Sequence, residues 1–475
     1  MRPLALAEGP WNPGIESTIP DEIRPLSTLH RPENVFTSWA EARELRGFTG
    51  LDYADLVVFR PSRLALHELL IRVSADLSVP DGERVEDLGI NFRNIVRRLL
   101  ARLEPRMGEI DALYAAERSR IEKDIEATRT FQRVLDAVRV KHGRPWGPRE
   151  IVARIAAGIA CNEQAGDAIG RWLEPWLARV VAEEGYRVLP PQERPIVMNT
   201  KGASASGKTT IRPLQRELAG RIGADWADFA LISPDIWRKQ LLDYGSLGPH
   251  YKYAGPFTGE ELRIVDQKLD AYMARKAQAG RMPHLLIDRF RFDSFAPHSD
   301  EAGSNLLTRF GRVVYLFFMI TPPASLVERA WNRGVEVGRF KAVDDTLAHA
   351  VEAYAGMPQL FFTWVQRADK RVHFEFLDNS VPPGERPRTV AFGWNDRMTI
   401  LDASILRDID RYRRVDINAR SPQQLFHGAG QLADELNEGF LKECLRRFPK
   451  VDFADRGARI DAAEADHTVG RWSPG

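Results

Sequence analysis

Two glycines, a lysine and a threonine in the middle of the chain have a spacing that suits phosphate chemistry. Gly202 and Gly207 permit backbone torsions that a Cβ forbids, so that successive N–H groups can point at one phosphate. Lys208 is then expected to reach the β- and γ-phosphates, and the Thr209 hydroxyl to bind Mg²⁺. The plainer interpretation is a surface loop that matches the pattern by accident. The stretch and the residue after it are Gly202, Ala203, Ser204, Ala205, Ser206, Gly207, Lys208, Thr209 and Thr210.

The segments on either side of this loop have the patterns of a strand and a helix. The apolar run 195–199 predicts a buried strand that leads into the loop, and 210–218 has helical periodicity. A helix N-terminus favours anions, because its unpaired N–H groups and its dipole face them. The flanking elements therefore favour a phosphate-binding loop, and they predict that ATP or GTP binds there with Mg²⁺.

Apolar segments continue after the loop and alternate with helical ones. Near-continuous apolar runs separated by helices predict a parallel sheet covered on both faces. The predicted fold class is α/β: a P-loop NTPase or kinase core with a parallel sheet and flanking helices, preceded by a mostly α-helical N-terminal domain. The strands are predicted at 195–200, 229–232, 284–287, 313–320 and 372–377, followed by a hairpin over 389–401 that turns near Asn395.

Two carboxylates come directly after strands of this predicted sheet. Asp235 follows the second strand and Asp288 ends the third. Ligands of open α/β sheets bind beyond the carboxyl ends of the strands, so both residues are expected at the site, with Asp288 near the metal or its water shell. The alternatives are that Asp235 only begins a helix and Asp288 only begins a turn. Arg289 and Arg291 follow the strand exit, and one of them is expected to face the site.

A basic segment follows the fourth strand. Arg329 and Arg333 are spaced for one helix face, Gly334 and Gly338 interrupt the helix, and Arg339 comes next. Guanidinium groups on a segment with glycine hinges are typical of a lid or an arginine clamp over a triphosphate. The alternative is an exposed basic helix end that the helix dipole stabilises.

The order of these motifs resembles the zeta toxin family of P-loop kinases over residues 190–405. Members of that family phosphorylate a hydroxyl of the sugar in UDP-N-acetylglucosamine, with ATP or GTP as donor, and so poison cell-wall synthesis. The resemblance implies that Lys208 and Thr209 hold phosphate and Mg²⁺. It also implies that Asp235 is the catalytic base on the sugar hydroxyl.

The same resemblance assigns roles on the acceptor side and over the transferred phosphate. Asp270 corresponds to an acidic sugar contact, and Asp288 replaces the glutamate that usually ends the third strand. Arg329 and Arg339 correspond to the two arginines that bind the transferred phosphate. The chain departs from the family at 289–293, where bulky phenylalanines replace small residues. That change is expected to alter the acceptor pocket, which Arg291 is predicted to line.

The length of 475 residues exceeds that of a typical single domain. We predict an irregular segment over 1–35, a helical domain over 36–190, a P-loop kinase domain over 191–405, and a C-terminal helical extension and tail over 406–475. Basic residues between 93 and 102 form either a binding patch or, more simply, the solvated face of a helix.

Composition excludes several classes of protein. The formal net charge of +1 gives no overall electrostatic reason to bind nucleic acid or an anionic membrane. Cys161 and Cys444 lie far apart, which excludes a disulfide framework or a cysteine-based zinc site. The sequence has no apolar stretch long enough to span a bilayer, and the N-terminal one is too short for a signal peptide. A cytoplasmic location is expected.

These features favour a kinase whose acceptor is a small molecule with a hydroxyl group. One alternative is an NTP-switched regulatory protein whose helical N-terminal domain binds a partner; another is a polynucleotide-end kinase, which the near-neutral charge disfavours. A separate helical antitoxin blocks the nucleotide site in the zeta toxin family. By analogy, the chain is expected either to meet a protein antitoxin or to be inhibited by its own N-terminal domain. A specificity domain and an oligomerisation element are the other interpretations of that domain.

Overall fold

The computed structural model describes ten stretches of the chain, and these form two compact units. The helical unit comprises the described residues within 19–188 and 235–269, and the sheet unit those within 1–18, 189–234 and 270–475. The sequence-based domain limits stay predictions, because compactness alone does not show which segments fold independently. The described residues are 10–11, 39–51, 53–78, 88–242, 258–288, 307–337, 340–382, 384–426, 438–454 and 466–471.

The helical unit is built around one helix, α3, that is almost entirely enclosed. Pro61 begins α3, where its fixed φ suits the first helical turn, and every residue from Arg63 to Ala75 is buried. A π-helical turn over Cys161–Ala165 joins α7 to α8. The elements are α1 Trp39–Thr49, α2 Tyr53–Leu56, α3 Pro61–Asp76, β1 Leu77–Ser78, α4 Leu88–Leu103, α5 Met107–Asp124, α6 Arg129–His142, α7 Arg149–Ala160, α8 Gly166–Glu184 and β2 Arg187–Val188.

The sheet unit contains an eight-stranded, mostly parallel sheet. Its strand order is β10-β9-β8-β7-β6-β3-β5-β4, and the pairs from β4 to β7 are all parallel. β8 runs antiparallel to both β7 and β9, and β10 is parallel to β9. The strands are β3 Ile196–Lys201, β4 Phe229–Ile232, β5 His284–Asp288, β6 Val313–Ile320, β7 Arg371–Asp378, β8 Arg388–Trp394, β9 Arg397–Ile400 and β10 Lys450–Phe453.

Helices flank this sheet, and aromatic side chains pack between the helices and the strands. Phe318 of β6 and Phe376 of β7 stack at 4.8 Å, and Phe361 packs its edge against both rings. Because side chains alternate along a strand, the opposite face of β7 carries His373 and Glu375. The helices are α9 Arg212–Arg221, α10 Pro234–Leu241, α11 Gly259–Gln278, α12 Pro323–Val337, α13 Val343–Val365, α14 Ala403–Tyr412 and α15 Gly439–Arg447; the division between the units falls within α10 and α11.

The predicted strands are confirmed, with limits that differ by no more than one residue. The predicted hairpin is confirmed as β8 and β9, and Asn395 in its turn bonds through its side chain to the backbone of Val372, Val365 and Arg367. Two separate helices, α14 and α15, lie in or at the start of the region predicted as a C-terminal helical extension. The short edge strand β10 was not predicted, since Lys450–Phe453 has too few apolar residues.

The C-terminal stretch 466–471, which lies in the predicted tail, is held in place by a buried side chain of β7. Thr468 and Val469 are buried, and Glu375 accepts hydrogen bonds from the N–H groups of Val469 and Gly470. A buried carboxylate can anchor a polar segment that has no apolar periodicity of its own. None of the helices within the described stretches is long and apolar enough to cross a membrane.

Candidate functional site

The Gly202–Thr209 loop connects the end of β3 to the turn before α9. Ala205 has a φ of 64°, the only positive φ of a non-glycine residue in the stretches that the structure describes, and Gly207 has a φ of 90°. A short 3-10 turn over Lys208–Ile211 then leads into the helix. Left-handed residues within such a loop turn successive N–H groups toward one point, which is the arrangement of an anion-binding nest.

Both glycines of the pattern are required by close contacts. A Cβ at Gly202 would lie 2.5 Å from Ser206 Oγ and 2.8 Å from Met319 Cβ. A Cβ at Gly207 would lie 2.3 Å from Asn379 Nδ2, at a φ that L-residues rarely adopt. The backbone of the loop therefore lies so close to β6 and to the segment after β7 that a Cβ does not fit at either glycine.

Polar groups inside this loop suit an anionic ligand. Lys208 Nζ donates to the carbonyl oxygens of Gly202 at 3.0 Å and Ala203 at 2.8 Å, which folds its ammonium group over the loop. Ser206 Oγ is buried and has no hydrogen-bond partner among the described residues. A buried hydroxyl without a partner is costly, and a phosphate oxygen would satisfy it.

Residues at the ends of β6 and β7 hold the loop in place through hydrogen bonds. The Ser206 carbonyl accepts a hydrogen bond from Asn379 Nδ2 at 2.8 Å and one from Thr321 Oγ1 at 3.3 Å. The Tyr354 hydroxyl accepts from the Thr321 N–H at 2.8 Å and donates to the Thr321 carbonyl at 2.7 Å. These bonds hold the Ser206 carbonyl at the ends of β6 and β7.

Arg329 on α12 reaches the segment after β7. Its Nη2 donates to the carbonyl oxygens of Asn379 at 2.6 Å and Val381 at 3.2 Å. Burial lowers the pKa of this guanidinium from its ordinary value. Arg329 is therefore linked to the Gly202–Thr209 loop through Asn379, and its predicted contact with a transferred phosphate stays a prediction.

Asp288 lies next to the strand that leads into the loop. It pairs in register with Thr200 of β3, and its Oδ2 accepts a hydrogen bond from Arg212 Nη2 at 2.9 Å. The Asp288 side chain is 10% exposed. The structure thus brings Asp288 and the loop to the same edge of the sheet. Because Arg212 also binds the Asp288 carboxylate, a metal ion there would have to share that carboxylate with Arg212 or displace the guanidinium.

Asp270 forms an ion pair away from the loop. Its two carboxylate oxygens accept from Arg309 Nη1 and Nη2, each at 2.9 Å. Arg309 lies in the turn just before the first residue of β6, whereas the loop follows the last residue of β3. None of the described contacts joins Asp270 to the loop, and its role as a sugar contact stays a prediction.

Four of the predicted site residues fall wholly or partly outside the described structure. Arg291 and Arg339 lie outside the described residues, and so do the side chains of Thr209 and Asp235. The backbone of Asp235 is described as the second residue of α10, two positions beyond the strand exit at Ser233. The predicted roles of all four residues remain predictions.

Sequence reasoning missed Thr321, Asn379, Tyr354 and Arg212. Thr321 follows the last residue of β6 and Asn379 the last residue of β7. The rule that polar residues at the carboxyl ends of parallel strands face the site would have selected both of them. Nothing in the local pattern marks Tyr354 or Arg212, because their partners are distant in sequence.

The described side chains fit a triphosphate bound with one magnesium ion. The described residues contain no group of three or more His, Cys, Asp or Glu that could hold a metal ion. Mg²⁺ is commonly held by one or two protein groups together with phosphate oxygens, so a single carboxylate such as Asp288 is adequate. The unpaired Ser206 hydroxyl and the two glycine contacts support an anion at the same edge of the sheet.

Comparison with known proteins gave no relative for this chain. No protein-family model matches it, and neither a curated protein nor a solved structure matches it. The resemblance to the zeta toxin family therefore rests on the sequence motifs alone.

Proposed function

We propose that the chain is an ATP- or GTP-dependent phosphotransferase with a P-loop kinase core. Its acceptor is a hydroxyl of a nucleotide sugar, similar to UDP-N-acetylglucosamine, or of another small molecule. The observation that carries the proposal is the Gly202–Thr209 loop, where both glycines are sterically required and the Lys208 ammonium lies over the loop. A Gly/Ser-rich surface loop would have no reason to exclude a Cβ at both positions.

The reaction uses the chain's own residues to position the reactants and to move one proton. Asp235 accepts the proton of the acceptor hydroxyl, whose oxygen forms a bond to the γ-phosphorus as the bond to the β-phosphate oxygen breaks. Lys208 and the loop N–H groups stabilise the charge on the phosphates. Arg329 and Arg339 balance the charge of the group in transfer.

Thr209 and Asp288 would hold Mg²⁺, which neutralises charge on the β- and γ-phosphates when it is bound. Arg212 holds the Asp288 carboxylate in place, since it donates to Oδ2 at 2.9 Å. Asn379 and Thr321 keep the Ser206 carbonyl out of the phosphate position.

The direct test is to incubate the full-length protein with γ-labelled ATP or GTP, Mg²⁺ and a metabolite extract, and to identify the labelled product by mass spectrometry. We expect one labelled small molecule from the wild-type protein. The Lys208→Ala variant is expected to lose at least about 100-fold in rate, because it lacks the cation nearest the phosphates. Lys442→Ala is the matched control, since Lys442 is exposed and pairs only with Glu438 among the contacts described.

Three outcomes separate the alternatives. Transfer that survives intact in Lys208→Ala contradicts the proposal. Slow hydrolysis that no acceptor stimulates favours an NTP-switched regulatory protein. Label that appears only on added oligonucleotide ends favours a polynucleotide-end kinase.

The Asp235→Asn variant tests the base. It is expected to bind nucleotide normally and to lose transfer, because the amide cannot accept the hydroxyl proton. Equal loss of binding and transfer would mean that Asp235 has a structural role. Nucleotide affinity is measured by titration calorimetry with ADP.

A further inference from the structure

The helical unit includes a stretch of chain that lies, in sequence, between two strands of the sheet. Residues 235–269 follow β4 and precede β5, yet they belong to the same compact unit as 19–188. We call residues 235–269 the inserted segment. It begins with Asp235, the proposed base, in the first turn of α10. The packing of this segment therefore bears on where the base is held.

One guanidinium group of α3 holds both described helices of the inserted segment. Arg63 donates from Nε to Glu261 Oε1 at 2.5 Å and from Nη2 to Glu261 Oε2 at 2.7 Å. The same Nη2 donates to the carbonyl of Leu241, the last residue of α10. Because Glu261 lies in the first turn of α11, Arg63 fixes the end of one helix and the beginning of the next. The fork geometry of arginine makes such a two-sided contact specific.

Further residues along α3 bond to the inserted segment. His67 Nε2 lies 2.6 Å from Glu261 Oε1, and Ser74 Oγ accepts from Trp237 Nε1 at 2.8 Å. Trp237 is fully buried, one turn from the start of α10. Positions 63, 67 and 74 recur at helical spacing, so one face of α3 makes all of these contacts.

Charged groups on the neighbouring turn add to this attachment. Glu68 bonds to Arg72 at 2.6 Å, and Lys268 of α11 lies 3.5 Å from Glu68 Oε1. A Cβ at Gly166 would meet Lys268 Nζ at 2.3 Å, so a glycine of α8 leaves room for that lysine. Separating α11 from α3 would leave buried charges without partners, which is strongly unfavourable. The described helices of the inserted segment, α10 and α11, are thus an integral part of the helical unit.

We propose that α3 is a positioning element for the acceptor side of the reaction: through Arg63 and Ser74 it holds α10, and with it the backbone of Asp235. This inference rests on the proposed phosphotransferase function. It opposes the self-inhibition expected by analogy, because weakening an inhibitor raises activity, whereas weakening a positioning element lowers it.

The test uses full-length Arg63→Met and Ser74→Ala. Arg63→Met removes the contacts to both helices. Ser74→Ala removes only the bond to Trp237, so this milder variant carries the test if Arg63→Met folds poorly. We expect amide hydrogen exchange in 236–241 and 259–269 to accelerate about tenfold or more. We expect kcat to fall about 10- to 100-fold, as for a misplaced catalytic group, while the Kd for ADP changes less than about twofold.

Two further variants separate positioning from general loss of stability. Asn162→Ala is the matched control, because the buried Asn162 side chain bonds to the backbone of Val57 and Phe59 and, among the described contacts, not to the inserted segment. It is expected to leave exchange in the inserted segment and kcat unchanged. Arg63→Lys keeps the charge without the fork and is expected to restore part of kcat.

Several results would overturn the proposal. One is unchanged exchange in 236–241 and 259–269 for both variants. Another is a rise in kcat, which would establish self-inhibition, and a third is an ADP affinity that falls in step with kcat. If the wild-type protein transfers phosphate to no acceptor, the proposed function fails by itself. In that case only amide hydrogen exchange tests whether α3 holds α10 and α11.

Discussion

Glu261 and Glu375 are both buried glutamates, one in each unit, and their surroundings have opposite character. Glu261 in the helical unit faces two basic side chains. Burial alone would raise its pKa, but the charge of Arg63 and the hydrogen bond to His67 outweigh it and lower the pKa to about 2. Glu375 in the sheet unit has no ion-pair partner among the described contacts. Burial raises its pKa to about 7, although three hydrogen bonds oppose the shift.

The difference reflects how each unit satisfies its buried polar groups. Glu375 accepts hydrogen bonds from Thr389 Oγ1 at 2.6 Å and from the N–H groups of Val469 and Gly470 at 2.7 and 2.8 Å. The sheet unit thus relies here on backbone groups and neutral side chains, as it also does around Ser206. The helical unit relies on charged pairs between helices. A helix has few backbone groups to offer its neighbours, so side chains must supply the partners.

The largest expected effect comes from deleting the carboxylate in the helical unit. Glu261→Leu removes the buried carboxylate that Arg63 and His67 share and is expected to destabilise the helical unit by about 3–5 kcal/mol. Glu375→Leu is the matched change in the sheet unit. It is expected to lower the stability of that unit by about 1–3 kcal/mol, because it leaves buried hydrogen-bond donors without an acceptor but removes no ion pair among the described contacts. Differential scanning calorimetry and native-state hydrogen exchange measure both. Equal losses would show that charge pairing is not what distinguishes the units.

The second prediction concerns pH. Glu375 binds its proton more tightly in the folded protein than in the unfolded chain, so its contribution to stability is greatest below about pH 4.5 and is lost as the pH rises to about 7. The size is on the order of 3 kcal/mol. Arg221, which is close enough to lower the pKa slightly, does not reverse the sign.

Glu375→Gln cannot titrate and is the reference for this effect. The stability of the wild-type protein relative to Glu375→Gln should fall between pH 4.5 and 7 and stay level above that. The opposite sign applies to Glu261, whose stabilisation is lost only as the pH falls below about 4.5 toward 2. A relative stability that rises between pH 4.5 and 7 is incompatible with the environment described for Glu375.

A pair of glycines provides the third prediction. A Cβ at Gly170 of α8 would lie 2.6 Å from both Arg72 Nη2 and Glu68 Oε2, and these two buried side chains form an ion pair through Arg72 Nη1. Gly170→Ala is expected to cost about 1–3 kcal/mol by displacing that pair. Gly220 of α9 has no atom within 4 Å of such a Cβ, so Gly220→Ala should stabilise the sheet unit by about 0.5–1 kcal/mol. Thermal unfolding of the two variants measures the contrast.

The fourth prediction concerns the loop itself. Asn379→Leu removes one of two donors to the Ser206 carbonyl and is expected to weaken ADP binding about tenfold, or about 1.4 kcal/mol. Asn395→Leu is the matched control, since Asn395 is also tied to backbone groups in the sheet unit but lies in the β8–β9 turn. It is expected to lower stability and to leave ADP affinity unchanged. Titration calorimetry distinguishes the two, and equal affinities would mean that Asn379 does not shape the loop.

Much of the sheet unit could be predicted from sequence, because its strands are buried on both faces and appear as continuous apolar runs. β6 Val313–Ile320 was predicted to the residue, whereas β10 Lys450–Phe453 was missed because an edge strand needs few apolar residues. Gly202, Gly207 and Lys208 were identified from their spacing. Asn379 and Thr321 were not, since their bonds to Ser206 span 173 and 115 residues.

The sequence by itself determined the features that depend on near neighbours. These are the torsions that require glycine at 202 and 207, and the apolar runs that become strands. Only the tertiary structure decided that Asn379 fills the space beside Gly207, and that residues 235–269 belong with α3. The ion pair of Arg63 and Glu261 spans 198 residues. Torsional preference and periodicity act within a few residues of the chain, whereas the partner of a buried charge is chosen by which elements are packed together.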